Sequence, residues 1–421
     1  MSAEPEGTPR RAVAAWCLYD WANSAFPTVI VTFVFAAYFT QGIAVDEVTG
    51  TAQWGWAMSL SALAVAVAGP VLGAIADHGG RRKPWLALFT VIAVLGAGAL
   101  WWGRPSADAV VLTLVIVGIA NFAFEMGMVF YNAMLPDLVP RHRLGRVSGW
   151  GWGVGYVGGL ACLGAALVLL VQAETPILGL DKEAAEHLRA TGPMVAVWFC
   201  VFAVPLFLWT PDRGGGLPLV AAVGAGLATL AATLRNLRRY RDVLWFLVAR
   251  MVYTDGLATL FAFGGIYAAG TFGMDFEELI LLGIAMNVTA GLGAFAFGWI
   301  DDRVGPKPTI LFSVGCLALL GVALLVVPDR FWFWVFALPL GIFVGPAQSA
   351  SRSMMARLAP ADMRTEFFGL YAFSGKATAF LGPAVLGAVT AAAGSQRWGM
   401  ATIIVFLVAG MALLAKVPDA R

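Results

Sequence analysis

Charge is scarce along this chain. Asp, Glu, Lys and Arg make up 12% of its 421 residues while 60% are hydrophobic, and a soluble domain carries about 25% charge. With a mean hydropathy of +0.81, most of the surface is expected to face lipid, so an ordinary water-soluble domain is excluded and no nucleic-acid partner is expected. Histidine is scarcer still: His78, His142 and His187 all fall between apolar runs, and no HExxH occurs. The four cysteines, Cys17, Cys162, Cys200 and Cys316, lie inside apolar runs with neither a disulfide framework nor a metal spacing. No metal and no cofactor are therefore expected. A GxxxxGK[ST] loop is missing too, which argues against direct ATP hydrolysis. A cleavable signal pattern is not seen, because the first 12 residues are polar and the apolar run after them is too long for a signal core.

What the chain has instead is long apolar runs. A bilayer-spanning helix needs about 20 apolar residues, and twelve runs qualify, at about 14–41, 52–76, 84–103, 109–134, 148–172, 193–210, 242–271, 278–300, 308–328, 331–357, 367–393 and 397–416. Gly and Pro recur inside them, as in helices packed within lipid. Trp101, Trp102, Trp332 and Trp334 sit at span ends, where aromatic belts form. Lys and Arg in the loops set the orientation. The side holding both termini carries nineteen of them and the opposite side five, so both termini are expected in the cytoplasm of a cell, or inner, membrane. The uncharged stretch 217–234 is long enough to be a thirteenth span. A crossing there would put the later basic loops outside, so it is read as a helix on or near the cytoplasmic face.

The chain repeats itself. Gly73, Ile75, Asp77 and Gly80, after the second run, match Gly298, Ile300, Asp302 and Gly305, after the eighth, at an offset of 225. Leu138, Pro140 and Gly149 match Leu358, Pro360 and Gly369 at an offset of 220. A matched loop in the same place of each half implies two six-helix halves in the same orientation. The expected organisation is an N-terminal half at 1–210, a cytoplasmic linker at 211–241 and a C-terminal half at 242–421.

Twelve spans in two halves, with G-x-x-x-D-x-x-G-R-R-K carried by Gly73, Asp77, Gly80, Arg81, Arg82 and Lys83, resemble the major facilitator superfamily. His78 departs from the signature, where an Arg usually follows the Asp; Arg303 restores it in the second copy. YDWANSAF (Tyr19–Phe26) and WFCVFAVPLFLWTPDR (Trp198–Arg213) are similar to the bacterial branch of the fungal vacuolar amino-acid effluxer family. The resemblance implies an all-α membrane protein with the major facilitator fold and transport of a small polar solute, an amino acid or related metabolite, by a monomer. The glycine-rich GWGWGVGYVGG of the fifth run lacks the Gly-Pro pair of the antiporter signature, so symport and antiport stay open. Gly151, Gly155 and Gly159 read as a ridge for close helix packing.

Ionisable residues inside a bilayer are costly and mark function by default. Six occur: Asp20, Glu125, Arg250, Asp255, Arg352 and Lys376. Five lie on the first, fourth, seventh and tenth runs, which the resemblance places around the central cavity. In the fourth, Asn121, Glu125, Met128 and Asn132 are spaced 4, 3 and 4 apart and share one helical face. Gln348 and Arg352 repeat that spacing in the tenth, and Arg250 and Tyr253 share a face of the seventh. Arg250 and Asp255 are turned about 140° apart, so each needs a partner elsewhere. Asp20, at the shallow end of the first run with Asn23 one turn further in, is either a site for a solute ammonium or proton, or one member of a structural pair. The expected solute-binding set is Asp20, Asn23, Asn121, Asn132, Arg250, Tyr253, Gln348 and Arg352, the arginines offering a bidentate fork to a carboxylate or pairing with one of the acids. Glu125 and Asp255 are the expected proton carriers, since a carboxylate out of water holds a proton more readily. Lys376 reads as a supporting residue. Asp77, Arg81, Arg82, Asp302 and Arg303 are expected to gate the cytoplasmic side, the bland alternative being a solvated topology-setting cluster.

Secondary transport by alternating access, coupled or not to protons, is the function these features favour. A transport-inactive sensor or scaffold is the alternative. A membrane-embedded enzyme is disfavoured, because no histidine lies inside a span to serve as base or ligand.

Overall fold

A computed structural model describes residues 9–173 and 179–419, and every regular element among them is helical. The first half comprises α1 (Arg10–Ile43), α2 (Glu47–Gly79), α3 (Lys83–Trp102), α4 (Ala109–Leu138), α5 (Arg141–Val171) and α6 (Glu186–Trp209). A linker helix α7 (Leu219–Arg235) follows. The second half comprises α8 (Arg241–Phe272), α9 (Phe276–Val304), α10 (Pro306–Val326), α11 (Arg330–Leu358), a broken span made of α12 (Arg364–Ser374) and α13 (Leu381–Ala393), and α14 (Gln396–Ala415). Eleven of these helices are long and apolar enough to cross a membrane, and the broken pair supplies a twelfth crossing.

Local chemistry explains where these helices depart from the expected runs. In α1 the backbone widens to π-helical hydrogen bonding over Phe26–Phe33. Pro27 has no N–H to offer and its ring crowds the preceding turn, so the ladder shifts register, with Val34 N–H reaching back five residues to the Val29 carbonyl at 3.0 Å. The run at 367–393 is a larger correction, because it is two helices rather than one. Between Ser374 and Leu381 the backbone makes short three-residue turns, such as Leu381 N–H to the Thr378 carbonyl at 2.7 Å. Gly375 stands at one edge of the break and Gly382-Pro383 at the other, residues that weaken a helix and cannot continue its ladder.

Packing falls into two sets. Within the first half α1 lies on α5 and α6, and α4 on α2 and α3; within the second, α8 lies on α14, and α11 on α9 and α10. The halves meet through α2 against α12 and α5 against α9. These contacts are crosswise copies of each other. A Cβ on Gly298 would sit 2.8 Å from the Arg146 Cα, and one on Gly73 would run into the Thr365 carbonyl. Gly69 meets Gly369 backbone to backbone, and Gly149 meets Ala294 in the same way. The repeated glycines thus let the basic ends of the two halves close on each other, as small residues do at membrane helix interfaces.

The linker helix α7 lies across the end of α2. Gly226 packs on Ile75, Thr229 on His78, and Leu217 N–H bonds the His78 carbonyl at 2.9 Å, while the buried Thr233 reaches Glu366 of α12. Its far face is apolar and exposed, with Val220 87% and Leu219 63% accessible. His78 has a local purpose here. Its Nδ1 donates to the Ala74 carbonyl at 3.0 Å, and its Nε2 shares a hydrogen bond with the Thr229 hydroxyl at 3.2 Å. The residue that breaks the loop signature docks the linker.

Candidate functional site

The face bearing the helix ends at Gly79, Leu138, Val304 and Leu358 is closed by charge. Asp77 accepts from the Thr365 hydroxyl at 2.6 Å and from the Glu366 backbone N–H at 2.9 Å, and Arg82 is 3.3 Å from it. In the other half Asp302 accepts from the Gly145 N–H at 2.8 Å and from Arg146 Nε at 2.5 Å. Each aspartate therefore sits at the N-terminal end of a helix in the opposite half, α12 or α5, where free N–H groups and the helix dipole favour a negative charge. Arg82 also donates to Thr365 at 2.7 Å and to the Ala133 carbonyl at 2.9 Å, tying three helices together. Asp137 gathers Arg82, Arg364 and a bidentate Arg213, the last through bonds of 2.8 Å each. Arg357 lies 3.7 Å from Asp301 and 3.9 Å from Asp302, with Arg141 bonded to its carbonyl at 2.9 Å. Arg81 and Arg303 are exposed on this face and join none of the ion pairs among the described residues.

One layer further in, Arg352 crosses from α11 into the first half. It is 1% exposed. Its Nη1 lies 3.1 Å from Asp20 and 3.2 Å from the Asn132 carbonyl oxygen, while Nε and Nη2 bond the Ser148 hydroxyl and carbonyl at 2.9 and 2.7 Å. Its guanidinium rests 4.8 Å from the Trp16 ring, itself stacked on Tyr131 at 4.4 Å. A Cβ on Gly151 would lie 2.6 Å from the Asp20 carboxylate and 2.8 Å from Arg352, so this glycine gives the pair its space. Asp20 thus joins the two halves through Arg352.

The polar stripe of α4 is divided among four neighbours. Asn121 bonds Ser61 of α2 at 2.9 Å, Glu125 pairs with Lys376 in the broken span at 2.7 Å, Met128 takes the Asn23 amide at 3.4 Å, and Asn132 meets Arg352. Gln348 reaches the Tyr156 hydroxyl of α5 at 3.4 Å. Arg250 pairs with no acid among the described residues. It donates to the Tyr371 carbonyl and the Ser374 hydroxyl at 2.7 Å each, with its Cζ 3.5 Å from the Tyr371 ring. Asp255 lies against the Thr378 hydroxyl and the Gly382 amide. Tyr253 is buried behind them, sharing a 2.7 Å bond with Ser351.

Beyond this layer, away from the basic face, opens a cavity of about 540 Å³ between α1 and α5 on one side and α8, α9 and α11 on the other, reaching to α10 and α14. Of the polar and charged side chains in the two layers just described, Tyr156 alone lines it. Its polar groups are neutral, with Ser24, Thr28, Thr32 and Tyr156 from the first half facing Asn287 and Tyr267 from the second. A sequence reading that weighs ionisable residues passes over these, since hydroxyls in spans are common. Asp137, Arg213, Arg364, Arg146 and Arg357 were likewise passed over. The repeat held a signal for two of them, because Asp137 and Arg357 stand at the same place in the two copies, just before Leu138 and Leu358.

Known proteins resemble this one in fold and in sequence. Over 98% of the chain and 96% of the other, the structure superposes on the proton:xylose symporter XylE of the major facilitator superfamily, with a TM-score of 0.74 at 13% identity. An uncharacterized MFS-type transporter of Bacillus subtilis, YxiO, is 28% identical over 410 residues, covering 96% of this chain and 94% of its own. Autophagy-related protein 22 of Coccidioides immitis is 24% identical over 445 residues, covering 86% and 72%. Residues 42–421 match the family described as vacuole effluxer Atg22 like. The chain belongs to that family of major facilitator transporters.

Proposed function

We propose that the protein is a secondary transporter that carries a small solute across the cell membrane as a monomer, by rocking its halves 1–210 and 242–421 about the linker 211–241, with its basic face in the cytoplasm. The observation that carries this reading is the crosswise seal. Asp77 and Asp302 hold helix N-termini of opposite halves on the face rich in Lys and Arg, while a cavity opens on the other face. Bonds made across the halves on one face exist in one state only, so they bias an equilibrium between two accessible states. In this reading Asp77, Arg82 and Asp302 gate, Asp20 and Arg352 form the inner lock, and Arg81 and Arg303 supply the positive charge that orients the chain.

Protons are the coupling ion that the carboxylates favour. Glu125 pairs across the halves with Lys376, and Asp255 is a buried acid with no cation within 4 Å among the described residues. Asn23, Asn121, Asn132, Arg250, Tyr253 and Gln348 then hold the walls around the pathway in register, within bonding reach of solute once the lock opens. As to the solute, the family resemblance implies an amino acid, whereas the neutral lining of the cavity favours something less charged. A thermal-shift screen of amino acids, peptides, nucleosides and organic anions would find ligands of the folded state. Uptake of the strongest stabiliser into proteoliposomes under a pH gradient then tests the coupling. At least one of Glu125→Gln and Asp255→Asn is expected to abolish accumulation driven by the gradient, and Glu125→Gln is the better candidate. Full accumulation in both variants would refute proton coupling through these groups.

A further inference from the structure

The cavity has a chemical character of its own. Of its 29 lining residues none is Asp, Glu, Lys, Arg or His. The charges of the neighbouring polar layer stay outside the lining: Arg250 is turned to the Tyr371 carbonyl and the Ser374 hydroxyl, Asp255 lies against Thr378 and Gly382, and the others hold one another. Arg352 stands behind the Trp152 ring, 5.7 Å from its centre, with its donors on Asp20, Asn132 and Ser148, and Glu125 and Lys376 hold each other at 2.7 Å. A zwitterion entering here would shed the water around a carboxylate and an ammonium and find no counter-charge, and burying an unpaired ion is far costlier than burying an apolar group.

What the walls do offer is apolar surface with a few neutral hydrogen-bonding points. Asn287 spends one N–H on the Gly283 carbonyl at 2.8 Å, leaving its carbonyl oxygen and second N–H for a ligand. On the opposite wall the Tyr156 hydroxyl accepts only a long 3.4 Å bond from Gln348, so its own proton is available, and Ser24 and Thr28 add two more hydroxyls. Between these walls Phe261, Leu282 and Met286 supply apolar contact. A volume of about 540 Å³ falls within the range of pockets that enclose a drug-sized molecule. Resting on the transport reading above, we propose that the solute taken up by this cavity is an uncharged, mainly apolar small molecule with one or two hydroxyl or amide groups, and not a zwitterion or an anion.

Three indole compounds separate the possibilities, because they share one ring system and differ in charge: tryptophol is neutral, tryptophan zwitterionic and indole-3-propionate anionic. Binding is measured by calorimetry on the full chain in lipid nanodiscs. Gly265→Phe serves as the control, because Gly265 lines the cavity and a Cβ there meets nothing within 4 Å, so the added ring fills the space without disturbing the fold. The expected result is that tryptophol binds at least tenfold more tightly than either charged relative and loses that binding in Gly265→Phe. Equal or tighter binding of tryptophan or indole-3-propionate, binding of none of the three, or tryptophol binding that survives Gly265→Phe would each overturn the assignment. So would a phospholipid seen by native mass spectrometry that Gly265→Phe expels and tryptophol does not. Spin labels across the basic face keep the two readings apart. Tryptophol that binds without that face ever opening would sink the transport reading and leave this assignment standing. Tryptophan that binds and opens the face would do the reverse.

Discussion

The Asp20–Arg352 pair is the most informative place to perturb the protein. Arg352→Met keeps an unbranched apolar stem and removes the guanidinium with its charge. Both partners are almost fully enclosed, with side-chain exposures of 2% for Arg352 and 7% for Asp20. Without the arginine, Asp20 keeps no cation beside it and retains the Asn23 amide at 3.5 Å, and Ser148 loses two donors. Breaking one side of a buried ion pair costs about 3–5 kcal/mol. That penalty applies only while the basic face is closed, because opening lets water reach the carboxylate. It therefore falls on the balance between states, and at about 1.36 kcal/mol per tenfold it shifts that balance roughly a hundredfold to several thousandfold toward the open basic face. Asp20→Asn combined with Arg352→Met removes both charges and is expected to recover most of the loss, a coupling of at least about 2 kcal/mol.

Distances between spin labels read the balance directly. Cys17, Cys162, Cys200 and Cys316 are first replaced, and labels are attached at positions 81 and 303, which are exposed on the basic face of opposite halves and outside the ion pairs. The starting protein should give one short distance, Arg352→Met a dominant long one, and the double variant a return toward the short one. A single variant with an unchanged distance distribution, or a double variant as open as the single one, would refute the reasoning.

Two further outcomes are expected. Asp77→Asn should weaken the hold on the N-terminus of α12 by about 1–2 kcal/mol, raising the open fraction in the same measurement while leaving the dissociation constant for a bound solute within the population correction; lost binding in a well-folded variant would count against a gating role. Cysteines placed at Asp275 and Arg330, which cap α9 and begin α11, should react with impermeant reagents only from the face opposite the termini, and reaction from the basic face alone would overturn the orientation.

Much of the fold was legible because lipid imposes a simple rule. A span must be apolar for about 20 residues, so most of the crossings could be read as runs, and the two offsets exposed the repeat. The stripe of α4 was legible for the same reason, since spacings of 4, 3 and 4 leave no choice of face. The partner of each stripe residue was not legible, because each belongs to a different helix and only tertiary packing sets it. Lys376 shows the limit: on a continuous eleventh span it reads as support, and only the break at Gly375 carries it to Glu125. That break was hidden because an apolar run reports burial in lipid and says nothing of whether the helix inside it is continuous. The cavity was hidden for a related reason. Its shape is the space left between helices, and residues such as Ser24 and Asn287 acquire meaning only from facing it.

The broken span also orders the two carboxylates by what moves with them. Arg250 holds the carbonyl end of α12 and Asp255 faces the amide end of α13, cation and anion each at the helix terminus its charge favours. Their separation of about 140° around α8, which forbids pairing with each other, is what lets them grip the two sides of one break. All of these partners belong to the second half, so rocking of the halves leaves them intact. Lys376, held in the gap between, is paired with Glu125 of the first half. Motion of one half against the other must stretch that bond, and a proton, solvent or a group on the solute has to take the place of the ammonium. Of the two acids, Glu125 is therefore the one whose surroundings change with the state of the protein. In gradient-driven uptake Glu125→Gln should lose the dependence on the gradient, while Asp255→Asn should act mainly by loosening the break.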